Sequence, residues 1–236
     1  MLHISSIANI LRRSWTRLIA LLRPTVIQPS PVHAPPIFLV AEGPRDLEFL
    51  KQISDILSRD DPRVPNLTSL EASGLAVLVC FGGGSIWHWS FRLAGTNGRE
   101  IHIYDRETPP VTAMREHLAR IVNLRPGCQA FLMQKRSLEN YLHIDAIFEA
   151  CGVRITFSDQ DDVSLVLAQA MFTQRHLEFP WESLPTRSRR RYQDRMKRLL
   201  NGAVVDRMTS ERLAQSDPDG EIRTWLTTIG QLVNSR

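Results

Sequence analysis

The chain has 236 residues, 43% hydrophobic and 23% charged, the composition of an ordinary globular protein with apolar material for one sizeable core. Its three cysteines, Cys80, Cys128 and Cys151, lie far apart, which argues against structural zinc and redox dithiols and fits a reducing, cytoplasmic compartment. The formal net charge of +4 belongs wholly to the first 41 residues, where Arg12, Arg13, Arg17 and Arg23 meet no acid before Glu42.

From Ile4 to Leu22, apolar Ile7, Ile10, Leu11, Trp15, Leu18, Ile19 and Leu22 recur at helical spacing. Arginines interrupt the run before it could span a bilayer, and the apolar stretch Leu18 to Leu22 is too short for a secretory signal, so no transmembrane segment is expected. Its Arg-rich, acid-poor character also resembles a transit peptide or a membrane-surface helix, but a docking helix is the preferred reading. Pro24 to Pro36, with five prolines, reads as an extended linker. Residues 1–35 thus form an amphipathic basic arm and linker, ahead of a main domain at 36–155 and a helical C-terminal extension at 156–236.

The main domain alternates strands and helices. Strands are predicted at Ile37 to Ala41, Leu75 to Phe81, Glu100 to Tyr104 and Gln129 to Met133. Helices are predicted from Pro44 through Leu57, at Ile86 to Leu93 and at Val111 to Leu124, with a loop at Asp60 to Asn66 and glycine-rich turns at Gly82 to Gly84 and Gly95 to Gly98. That order implies an α/β, Rossmann-like domain, a mostly parallel four-stranded sheet flanked by helices. Beyond Cys151, helices are predicted at Asp161 to Gln174, Ser188 to Leu200 and Asp219 to Leu232. Between Arg187 and Arg198 the chain sets Arg187, Arg189, Arg190, Arg191, Arg195, Lys197 and Arg198 against the single acid Asp194. Such a run is most simply a solvated helix face, yet beside an acidic site it suits a polyphosphate backbone.

Chemistry is suggested by where the acids fall. Glu42 ends the first strand, and Asp46, four residues on, shares a face of the following helix. Asp105 and Glu107 follow the third strand one residue apart, so an extended backbone would point both to the same side. If strands one and three are neighbours, Glu42, Asp105 and Glu107 meet at the carboxyl edge of the sheet, where their repulsion calls for a hard divalent cation. Each acid taken singly has a plain explanation as a surface carboxylate or a favourable helix-dipole charge.

Glu42-Gly43 with Asp46, the glycine turn after strand two and the acidic pair after strand three resemble the TOPRIM domain of topoisomerases, primases and nucleases. Lys135-Arg136-Ser137-Leu138-Glu139-Asn140-Tyr141-Leu142 is similar to the segment after the fourth strand in the OLD (overcoming lysogenization defect) family nucleases. The resemblance spans Pro36 to Gly152. It implies that Glu42, Asp46, Asp105, Glu107 and Glu139 hold two Mg²⁺ or Mn²⁺ ions, with Glu42 a ligand or the group activating water. Lys135 or Arg136 would balance charge on the scissile phosphate. The implied reaction is nucleic-acid phosphodiester hydrolysis, on DNA before RNA, by an endonuclease or nickase, with Arg136 and the basic helix as the nucleic-acid contact.

Glu107 stands where that family has a second Asp, and no Gly-x-x-x-x-Gly-Lys-Ser/Thr loop occurs in the chain. The family's ABC-type ATPase is therefore expected as a separate partner, which suits a bacterial or plasmid-borne phage-defence effector, and a homodimer is also open to it. A topoisomerase would need a dedicated tyrosine domain, and a primase a zinc module. The alternative from another class is a non-catalytic TOPRIM-like subunit that binds nucleic acid or the ATPase.

Overall fold

The structure is a computed structural model that describes residues 35–80, 86–96, 98–176 and 178–235. The predicted arm Ile4 to Leu22, nearly all of its linker, and the turn at Gly82 to Gly84 lie outside the described residues.

Four strands, β1 (Ile37–Ala41), β2 (Ala76–Cys80), β3 (Arg99–Tyr104) and β4 (Cys128–Leu132), form one sheet in the order β2-β1-β3-β4. Every neighbouring pair is parallel, where the sequence predicts a mostly parallel sheet. Leu39 pairs with Leu78 on one side and Ile101 on the other, so β1 and β3 are adjacent.

Alternation along the strands separates two apolar layers. Ile37, Leu39 and Ala41 of β1 and Ile101 and Ile103 of β3 enter the larger core, while Val40 and Tyr104 enter the smaller. The larger core is closed by α1 (Pro44–Asp60), whose Leu47, Leu50, Ile53 and Leu57 recur at helical spacing, and by helices from the far end of the chain. The smaller is closed by α4 (Val111–Asn123) through Leu118, Ala119 and Val122, and by α3 (Ile86–Arg92) through Ile86. Helices on both faces and parallel strands make a Rossmann-like arrangement.

Between α1 and β2 lies α2 (Leu67–Ala72), capped by the Asn66 side chain, which accepts the Ser69 N–H at 2.9 Å. Past β4 come a 3-10 turn at Leu138–Tyr141, then α5 (Ile144–Cys151), α6 (Val163–Arg175), a 3-10 turn at Trp181–Ser183, α7 (Thr186–Leu199), a π turn at Leu200–Val204, a 3-10 turn at Val205–Arg207, α8 (Ser210–Ser216) and α9 (Glu221–Asn234). The short helices α2, α5 and α8 are absent from the sequence reading. Helix starts differ from expectation where a side chain caps the end. Asp162 caps α6 by accepting the Leu165 N–H at 3.0 Å, and Asp217 holds α9 by accepting the N–H groups of Glu221 and Ile222, both at 2.9 Å.

The residues 156–236 share the sheet's own core: Leu167, Trp225 and Leu226 belong to the same cluster as Leu39 and Ile101. Pro35–Arg236 is one compact unit. No helix among the described residues is long and apolar enough to cross a membrane.

The smaller core also buries a polar chain. His102 lies between Glu100, 2.8 Å from Nε2, and the Tyr104 hydroxyl, 3.0 Å from Nδ1. Tyr104 reaches Ser90 Oγ of α3 at 2.9 Å, and Arg125 pairs with the other Glu100 oxygen. Glu100, His102 and Tyr104 are almost fully buried. Burial lowers the His102 pKa, against the pull of Glu100, and pushes Tyr104 up to about 12, so both are neutral in a closed network.

Candidate functional site

The chain leaves β1 for β2 on one side and returns to β3 on the other, so winding reverses between β1 and β3. In open parallel sheets the crevice outside the carboxyl ends at such a reversal is where ligands bind. Glu42 follows β1 and Asp105 follows β3, and the Asp105 N–H donates to Glu42 Oε1 at 3.2 Å. Asp46 is drawn in from the first turn of α1, where its Oδ2 accepts the Gly43 N–H at 2.7 Å and so caps the helix as well.

Glu139 arrives from beyond the edge strand β4, at the same carboxyl end of the sheet, on the 3-10 turn Leu138–Tyr141. That turn is fixed by Asn140, whose Oδ1 accepts from Ser137 Oγ at 2.9 Å and whose Nδ2 donates to the carbonyls of Ser158 and Asp161, both at 3.0 Å. Tyr141, buried against Trp225, hydrogen-bonds Glu221 at the start of α9. Glu139 is 4% exposed and its Oε1 accepts from Asn201 Nδ2 at 2.8 Å.

These four acids feel one another. Burial raises the Asp105 pKa well above the carboxylate range, and the charges of Asp46, Glu42 and Glu139 add to it. Burial first, and then Glu139, pushes Asp46 up to about 6. Glu42 is also raised by burial, against the opposing pull of Arg115.

Two cations answer them. Arg115 of α4 pairs with both Glu42 oxygens, its Nη2 donating to Oε2 at 2.7 Å, while its buried Nε has no hydrogen-bond partner among the described residues. Lys197 of α7 has Nζ 3.9 Å from Glu139 Oε1, and its pKa is raised by Glu139 first, then by Asp105, Asp46 and Glu107. The sequence reading misses Arg115 and Asn201, and places Lys197 only on a backbone-binding helix. Lys135, the lysine it expects at the scissile phosphate, turns away: its Nζ is 2.6 Å from Asp159 Oδ1, 3.3 Å from the Asn140 carbonyl, and 5.3 Å from the Tyr141 ring centre.

Glu107 departs from the extended backbone expected of it. Its φ is +55°, and its N–H donates to the Arg136 carbonyl at 3.0 Å. Left-handed backbone in a non-glycine residue breaks the alternation of a strand, and the leading charges acting on Asp105 are those of Asp46, Glu42 and Glu139. It instead lines a cavity of about 310 Å³ with Arg136, Glu139, Asp162, Arg190 and Lys197. Arg136 Nε is 3.8 Å from Glu107 Oε2 and its Nη2 is 3.7 Å from Asp162 Oδ2. Of the basic helix, Arg190 and Lys197 reach this cavity, Arg187, Arg191, Arg195 and Arg198 are exposed, and Arg189 is half-buried with an unpartnered Nε.

Among the described residues, no group of three or more His, Cys, Asp or Glu side chains stands ready to hold a metal ion. The geometry gives the reason: Glu42 is taken by Arg115 and the Asp105 N–H, Asp46 by Gly43, and Glu139 by Asn201. The donor set nevertheless fits a hard divalent cation: it is all carboxylate oxygen, Asp105 and Glu139 are buried, and burial and then repulsion raise the pKa of Asp46 and Asp105, which a cation would relieve. Comparison with protein-family models, curated proteins and solved structures found no match to this chain.

Proposed function

We propose that the chain is a Mg²⁺- or Mn²⁺-dependent phosphodiesterase that cuts nucleic acid, DNA in the first instance, after the pattern of the TOPRIM nucleases its motifs resemble. The carrying observation is the meeting of Glu42, Asp46, Asp105 and Glu139 at the sheet's point of reversal, with Lys197 of a basic helix beside them. Asp46, Asp105 and Glu139 would hold the ion, and Glu107, which shares a cavity with Glu139, offers part of a second position. Such ions polarise the phosphate and acidify the attacking water.

The chain's own groups do the rest. Glu42, steadied by Arg115 and the Asp105 N–H, is placed to accept the water's proton. Lys197 balances charge as it builds on the phosphate. Arg190 and Arg136, at the cavity, receive neighbouring phosphates, which gives affinity without sequence preference. A separate ATPase acting in trans, and a role in phage defence, belong to the same reading.

Incubating purified protein with supercoiled plasmid and single-stranded oligonucleotides tests it, with Mg²⁺ or Mn²⁺, an EDTA control and Asp105→Ala. Metal-dependent nicking that disappears in the variant is expected. The Glu42–Arg115 pair favours one rival, a non-catalytic binding subunit, because it ties up the first acid. Retention of nucleic acid without cleavage under either metal would establish that rival and sink the catalytic reading.

A further inference from the structure

On the opposite side of α7 from the acid cavity lies a second, larger pocket of about 610 Å³, between the end of α5, the last turns of α6 and the π turn. Apolar Met171 and Leu199, the aromatic Tyr192, and Arg175, Arg195 and Arg198 are among the residues that line it. None of the residues lining it is acidic. The three arginines have no ion-pair or hydrogen-bond partner among the described residues. Other arginines of the molecule are paired, Arg212 with Glu149 and Arg223 with Asp61, whereas Arg187, Arg190 and Arg191 of α7 are not, among the described residues. Three unpaired cations beside apolar and aromatic side chains match a ligand that joins a flat apolar body to negative charge.

We propose that this pocket takes an unpaired nucleobase of the strand whose phosphates lie across α7, so that the substrate is single-stranded there. The proposal deepens the nuclease reading and rests on it for the identity of the strand. At 100° per residue, Arg190, Gln193 and Lys197 fall on one side of α7, and Tyr192, Arg195 and Leu199 on the other. Between them runs an exposed ridge of Arg187, Arg191 and Arg198. A strand leaving the acid cavity thus crosses the guanidinium groups of Arg187, Arg191 and Arg198, with the single acid Asp194 beside them, over a helix about 10–12 Å wide, and then meets a pocket suited to its base. Stacking on an aromatic or guanidinium plane is how proteins hold single strands, and a paired base could enter only by leaving its duplex. A fatty acid or an acidic peptide would satisfy the arginines, but neither accounts for the basic ridge that joins the pocket to the acids.

The test is fluorescence anisotropy with full-length protein in EDTA, so that binding is read whether or not the acids turn over. The probes are a labelled single-stranded oligonucleotide, the same backbone made abasic, and the duplex. Roughly tenfold tighter binding of the intact strand than of the abasic one is expected. Ala203 is exposed and lines the pocket, so Ala203→Trp should fill it without disturbing the core and abolish that difference while leaving abasic binding in place. Arg191→Ala, on the ridge, should weaken both probes alike and lower the salt slope by about one. Equal binding of intact and abasic strands, tighter binding of duplex, or a difference that survives in a folded Ala203→Trp protein would overturn the proposal. Base-dependent binding without metal-dependent cleavage would keep the pocket and discard the nuclease. Cleavage without base dependence would do the reverse.

Discussion

Strand β3 carries two buried polar clusters, and they are built on opposite plans. Glu100, His102 and Tyr104 point to the smaller core, where each polar atom of the chain meets another and Arg125 offsets the one charge. Asp105, one residue past the strand, has its pKa pushed up by burial first and then by the three other carboxylates. A satisfied network rigidifies a fold, whereas buried like charges oppose folding and persist only where something else requires them. The contrast separates what holds the sheet together from what the sheet displays.

The largest effect should come from breaking the satisfied cluster. Glu100→Ala leaves Arg125 and His102 without their acceptor, and a loss of about 3–5 kcal/mol in urea unfolding is expected. A loss below ~1 kcal/mol would mean that the cluster is incidental. Next are the two lysines, which the cleavage assay tells apart. Lys197→Ala should lower the rate by about 10²–10³, and Lys135→Ala, already paired with Asp159, by less than about tenfold. The reverse order would return Lys135 to the phosphate.

Divalent metal should raise the thermal midpoint of the wild type, with a stabilisation of about 2.7 kcal/mol at a hundred times Kd, and should do nothing for Asp105→Asn. An equal shift in both would place the ion elsewhere. The smallest effect runs against habit: without metal at neutral pH, Asp105→Asn should be more stable than the wild type by roughly 1–3 kcal/mol. Glu42, Asp46 and Asp105 bind protons more tightly folded than unfolded, so wild-type stability falls as pH rises from the ordinary Asp value of 3.8 towards about 6, the folded value of Asp46. The variant should show a shallower fall over that window. A wild type that gains stability there would mean the acids are not crowded.

Strand positions, parallel order and the nearness of Glu42 to Asp105 were legible because apolar runs and strand-end acids are local signals. Glu139 was legible only through its motif. Arg115 was not, since it lies 73 residues from Glu42 along the chain. One signal was there to find: Arg115 shares a helical face with Leu118, Ala119 and Val122, and a charge on a buried face requires a partner. The left-handed backbone of Glu107 had no local cue, because glutamate is not a residue that favours it. Lys197 was visible as charge but not as direction, which depends on how α7 docks.

The alternation along β3 has one more consequence. Ile101 and Ile103 face the larger core while Glu100, His102 and Tyr104 face the smaller, so a slip by one residue would drive a carboxylate and an imidazole into oil and turn two isoleucines onto polar partners. The strand has only one tolerable alignment against its neighbours. The turn at 93–96 ahead of it should therefore accept substitutions far more readily than a single insertion or deletion, since a change in its length would be transmitted straight to the position of Asp105.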